Sequence, residues 1–109
     1  MKKTPIFDVR DGLMYSKYMQ KEIRCTITGR VQLVMFRDFA QRKARSLGIT
    51  GTVQNMREGT VKVVAQGDES ILTKYLAYLD KGSLLSRVDT VSTVWQTPTS
   101  TFSDFEILY

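Results

Sequence analysis

Histidine is absent from the 109 residues, and cysteine occurs once, as Cys25. Each absence removes a chemistry. Without histidine there is no Ser-His-Asp triad, no Cys-His pair and no imidazole general base, and a zinc site would have to be built from a single thiol and carboxylates. A lone cysteine forms no intrachain disulfide and reads as a reduced core thiol of a cytoplasmic protein. Long apolar runs are missing too: Lys2 and Lys3 are followed by Asp8, Arg10, Asp11 and Lys17 rather than by the apolar stretch of a secretory leader, and no segment has the length of a membrane span. What remains, 42% hydrophobic and 25% charged residues, is the balance of one globular domain able to bury a core unaided. The 16 basic against 11 acidic residues give a formal charge of +5, which favours an anionic partner.

Residues 1–20 show no sustained periodicity and are read as an N-terminal extension, open either to disorder or to a helical turn docked on a domain spanning 21–109. From Lys21 the pattern sharpens. Ile23, Cys25 and Ile27 alternate with Glu22, Arg24, Thr26 and Thr28, the period of a half-buried strand that Gly29 is expected to end. Phe36, Phe39, Ala40, Ala44 and Leu47 then recur at helical spacing, with Gly48 as the stop. Thr52–Met56 and Thr60–Gln66 form a hairpin turned by Arg57-Glu58-Gly59. Asp68 is placed as the N-cap of a second helix with the stripe Ile71, Leu72, Tyr75, Leu76 and Leu79, ending near Gly82. A last strand pair is expected in Arg87–Trp95 and Phe105–Leu108, with Thr97–Ser103 as the polar turn between them. There are no repeats. The order is that of an α+β, ferredoxin-like βαββαβ sandwich: an antiparallel four- to five-stranded sheet with two helices on one face.

The segment Arg30-Val31-Gln32-Leu33-Val34-Met35-Phe36-Arg37 joins the first strand to the first helix. Unpaired N–H groups at a helix start, the helix dipole and the fork of Arg37 together make an anion cradle. By itself a glycine turn followed by a surface arginine would look the same.

The stretch Ile27-x-Gly29-x-Val31-Gln32-Leu33-Val34-x-Phe36-Arg37 resembles the first signature of the acylphosphatase family, in which glycine is usual where this chain has Leu33. The second signature is matched by Gly51-Thr52-Val53-Gln54-Asn55-x-x-x-Gly59-x-Val61, with Gly67 at the expected distance and Thr52 in place of an aromatic residue. Ser86-Arg87-Val88-Asp89 and Phe102–Tyr109 resemble the small animal acylphosphatases, so that the likeness covers about residues 21–109.

This resemblance implies a small hydrolase of acyl phosphates that yields a carboxylate and inorganic phosphate, acting as a monomer without metal or cofactor, nucleic acid or membrane. By position, Arg37 matches the phosphate-binding arginine, Asn55 the water-positioning asparagine, and Arg30, Val31, Gln32, Leu33, Val34, Met35 and Phe36 the phosphate-binding loop. The chemistry fits a chain without histidine. An acyl phosphate carries a good leaving group, and phosphoryl transfer asks chiefly for positioning and for donors aimed at the phosphoryl oxygens.

Plainer roles are expected elsewhere: Arg42, Lys43 and Arg45 on the exposed face of the first helix, Arg87 with Asp89 as a surface pair, and Trp95 and Tyr109 as packing residues. Leucine accepts a left-handed backbone poorly, so Leu33 raises an alternative, a catalytically weakened domain that binds a phosphorylated ligand or a protein partner. A loop re-aimed to keep φ negative at Leu33 would remain competent. RNA binding by the sheet is argued against, because Ile23–Thr28 and Thr60–Gln66 carry no aromatic residue to stack a base.

Overall fold

The computed structural model describes residues 20–109. The proposed extension, save Gln20, lies outside the described residues. Strand β1 (Gln20–Arg30) turns Ile23, Cys25 and Ile27 inward, as the alternation requires, and all three are buried. It is followed by helix α1 (Phe36–Ser46), the hairpin β2 (Thr50–Asn55) and β3 (Val61–Asp68), helix α2 (Glu69–Lys81), β4 (Arg87–Gln96) and β5 (Phe105–Leu108). The sheet runs β4-β1-β3-β2-β5. Both helices lie on one face, where Phe36, Ala40 and Ala44 of α1 and Leu72, Tyr75 and Leu79 of α2 close one core over Ile23, Ile27, Val53, Val61, Val63 and Phe105. The Tyr75 hydroxyl, inside that core, donates to the carbonyl of Ala40 at 2.9 Å and so ties the two helices together. Among the described residues no helix is long and apolar enough to cross a membrane.

The sandwich agrees with the sequence, and three local expectations need correction. Gly29 does not end β1: it sits at φ 128 where the β1–β4 register shifts, and a Cβ there would lie 2.0 Å from the Arg87 carbonyl oxygen. Asp68 occupies the N-cap position of α2, but its side chain makes no capping hydrogen bond. The last two strands do not pair with each other. β4 lies against β1 at one edge, whereas β5 runs parallel to β2 at the other. The sheet is therefore mixed, because the Phe105 side chain belongs in the core under the helices, edge-on to Tyr75 with ring centroids 6.1 Å apart, a place beside β2 rather than beside β4.

The polar segment between them accordingly spans the sheet instead of turning, and a buried carboxylate receives it. Glu22 is fully buried on the face away from the helices, flanked by its register partners Gln66 on β3 and Gln96 on β4. Gln66 donates to Oε1 at 2.8 Å, while Gln96 and Arg24 donate to Oε2 at 2.9 and 2.7 Å. Gln66 also donates to the carbonyl of Ser100 in the crossing segment. Burial pushes the Glu22 carboxyl up. The hydrogen bonds from Gln66 and Arg24, the Arg24 charge and the Thr99 N–H outweigh it and hold the pKa below its ordinary 4.5. A depressed carboxylate contributes stability that is fully present above its unfolded pKa and is lost as pH falls through the folded value. Glu22→Gln is therefore expected to cost about 2 kcal/mol in urea unfolding at pH 7, with the gap to wild type closing below pH 4.5. An unchanged gap in acid would show that the Glu22 charge is not what anchors the crossing.

Candidate active site

The chain leaves β1 at Arg30, and two buried apolar residues, Val31 and Phe36, pin the ends of the loop that follows. Between them Gln32 and Val34 turn toward the protein, while Leu33 and Met35 stand in solvent. Leu33 has φ 63, and Met35, at the N-cap of α1, has φ 60. The loop is thus not re-aimed to keep φ negative at Leu33; leucine takes up the left-handed conformation that glycine adopts readily. Left-handed residues in a tight turn gather successive N–H groups to one side, the backbone form of an anion-binding nest. The nest runs directly into the start of α1, where the helix dipole adds to it.

Gln32 fixes this loop to the rest of the molecule. Its side-chain amide donates to the carbonyls of Met56 and Thr60, at 2.9 and 2.8 Å, on either side of the β2–β3 turn. The residue before Met56 is Asn55, so the clamp joins the anion loop to the strand end that carries the second candidate residue. Asn55 pairs with Val61 at the last rung of β2 and β3. Its Oδ1 is buried and has no hydrogen-bond partner among the described residues. An orphan acceptor of this kind costs about 1–3 kcal/mol unless something outside the protein completes it.

Arg37 and Asn55 both line a cavity of about 330 Å³, together with Val31, Leu33, Met35, Phe36, Asp38, Ile107 and Tyr109. Arg37 has no ion-pair partner among the described residues. Its guanidinium lies 4.9 Å from the centre of the Tyr109 ring, a cation–π contact that brings no opposite charge to it. Among the described residues Asp38 is the one acidic side chain on the wall. Arg42 Nε holds its Oδ2 at 2.8 Å one turn along the helix, which reduces its repulsion of an anion.

The structure therefore brings together Arg37, Asn55, Val31, Leu33, Met35 and Phe36. Arg30, Gln32 and Val34 are not part of the wall. Tyr109 is a correction: it is exposed and attends Arg37 instead of packing in the core. Trp95 is likewise on the surface. Arg45 forks onto Asp104 at 3.2 and 2.9 Å, and Lys43 lies 4.1 Å over the Tyr78 ring, so the basic face of α1 is in part engaged. The Asp38–Arg42 spacing was readable in the sequence; the place of Ile107 and Tyr109 depended on knowing that β5 lies beside β2. Among the described residues no three His, Cys, Asp or Glu side chains gather as a metal site would require.

A family model described as Acylphosphatase matches residues 23–107. The chain is 46% identical over 81 residues to an acylphosphatase of Methanococcoides burtonii, covering 74% of this chain and 84% of that one. It is 41% identical to one from Dehalococcoides mccartyi, covering 78% and 94%. The crystal structure of the Bacillus subtilis acylphosphatase superimposes with a TM-score of 0.79 at 31% identity, over 82% of this chain and 99% of that chain. These relatives are archaeal and bacterial, so they carry the family and not the narrower likeness to animal enzymes.

The strain at Leu33 is directly measurable. Its side chain is 99% exposed, so Leu33→Gly removes almost no packing and relieves the left-handed backbone. The variant is expected to gain about 1 kcal/mol in urea unfolding, the relief of strain outweighing the greater freedom of glycine in the unfolded chain. A destabilised variant would show that the strain at Leu33 is smaller than the cost of glycine's freedom in the unfolded chain.

Proposed function

Since the chain belongs to the acylphosphatase family, we propose that it hydrolyses acyl phosphates in this cavity, with the loop amides and Arg37 binding the phosphoryl group and Asn55 orienting the attacking water. The observation that carries this reading is that one wall holds a guanidinium with no ion-pair partner, and a buried carbonyl oxygen with no hydrogen-bond partner, among the described residues. The guanidinium and the nest supply donors for the phosphoryl oxygens. The Asn55 Oδ1 supplies an acceptor for a water hydrogen, aiming the water oxygen at phosphorus. As the new P–O bond forms, the bond between phosphorus and the acyl oxygen breaks and the carboxylate departs with the electron pair. The water proton passes to a phosphoryl oxygen of the substrate, so that no side-chain base is used.

The same reading takes the protein as a cytoplasmic monomer that acts on a small molecule, without nucleic acid, membrane or cofactor. The buried free thiol of Cys25, raised in pKa by burial and held 3.5 Å from the Thr93 hydroxyl, suits a reducing compartment. The weakened-domain alternative drew on Leu33 alone. Leu33 keeps a left-handed backbone and retains its N–H, which favours turnover.

Purified protein is expected to release phosphate from benzoyl phosphate, to leave a phosphate monoester nearly untouched, and to be indifferent to a chelator. Phosphate binding without turnover would favour the weakened domain instead. Arg37→Ala should abolish both turnover and competitive inhibition by inorganic phosphate. Asn55→Ala should keep that inhibition while kcat falls by about a hundredfold or more. Equal loss of phosphate affinity in the two variants would reject the division of roles. With no imidazole to titrate, kcat should change little between pH 5 and 8; a steep enzyme transition near pH 6.5 would contradict the base-free step.

A further inference from the structure

Three large apolar side chains stand almost bare around the cavity that holds Arg37. Leu33 is 99% exposed, Met35 74% and Tyr109 91%, and all three line it. Among the described residues Leu33 gains almost no packing in return for its left-handed backbone, and the peptide N–H it offers an anion is the one glycine would offer. What the leucine side chain adds is apolar surface at the mouth of the site. Met35 repeats the arrangement two residues on, also with positive φ and an unbranched, adaptable side chain.

A substrate whose phosphoryl group sits against Arg37 and the loop must lead its other end out past these residues. We propose that Leu33, Met35 and Tyr109 form an apolar collar that selects acyl phosphates with an extended hydrocarbon chain over short or polar ones, an inference that rests on the acyl phosphate reading of the cavity. Ile107, half-buried on the same wall, continues the apolar surface inward. A cavity of about 330 Å³ is small for a ligand site, so an extended chain would lie along the collar at the mouth. Each methylene taken fully out of water is worth about a factor of four in affinity, and a collar open to solvent on one side would deliver part of that.

The series acetyl, butyryl and hexanoyl phosphate tests this, since the leaving carboxylates are of nearly equal basicity and only the hydrocarbon varies. In the wild type kcat/KM is expected to rise at least about tenfold from acetyl to hexanoyl. Leu33→Asn, which suits a left-handed backbone, and Met35→Gln, which keeps the length, should each flatten the rise to about threefold or less. Inhibition by inorganic phosphate, which has no acyl group, normalises for any change in the anion loop. Binding of pentylphosphonate relative to methylphosphonate, which differ by the same four methylenes, reads the hydrocarbon contribution for a variant that turns over poorly. A flat series in the wild type, or an equally steep one in both variants, would overturn the collar and leave acyl phosphate hydrolysis standing. No turnover of any of the three by the folded wild type would overturn the underlying reading, and the collar with it.

Discussion

The carboxamide of Gln32 donates to two carbonyls, those of Met56 and Thr60, and in doing so holds an otherwise exposed loop at a set distance from the end of β2. A reaction between a bound phosphoryl group and a water needs both held together, and in this protein the parts that would hold them come from different elements: the phosphoryl group from the β1–α1 loop, the water from Asn55. Backbone hydrogen bonds of the sheet do not reach across that gap, because β1 and β2 are separated by β3. The glutamine bridges it. Two donors from one planar group also fix orientation, which a single hydrogen bond does not. In the proposed reaction Gln32 is thus a positioning residue, and the left-handed conformations of Leu33 and Met35 persist because Val31, Gln32 and Phe36 hold the chain on either side.

A second set of contacts brings the remaining wall into place. The chain leaves β4 at the far edge of the sheet and must return to β2 before Ile107 and Tyr109 can face Arg37. Glu22 and Gln66 receive the crossing segment on the face away from the helices. At its end Asp104 accepts the Arg45 fork from α1 and the Phe105 N–H, which together hold its carboxyl below the usual range, while its own carbonyl accepts from Gly51. Phe105 then enters the core, and β5 carries Ile107 and Tyr109 to the cavity. A buried carboxylate on one side of the sheet and an exposed arginine on a helix thereby contribute to a site that neither touches.

The two-residue and helical periodicities made β1, the hairpin and both helices legible, because burial of one face imposes those periods on the sequence. Arg37 and Asn55 were singled out by their match to the two family signatures, and both line the cavity. The partner of β5 was not. An alternating run such as Phe105–Leu108 states that it is a strand and is silent about its neighbour, since that choice is made by where the Phe105 ring finds room. Tyr109 was misread for the same reason: an aromatic residue beside an apolar strand looks like packing until the strand is placed at the edge of a charged cavity. The conformation of Leu33 could not be read either, because leucine favours negative φ and only the fixed ends of the loop force it through the turn.

The central claim, that the β1–α1 loop and Arg37 form the anion site facing Asn55, is tested most directly by following backbone and side-chain N–H resonances while inorganic phosphate is added. Saturable shifts should be largest at the amides of Val31 to Arg37 and at the Arg37 Nε–H, with the Asn55 side-chain amide moving at the same midpoint. Shifts centred on Arg42, Lys43 and Arg45, or shifts that never saturate, would place the anion on the outer face of α1 and contradict the account.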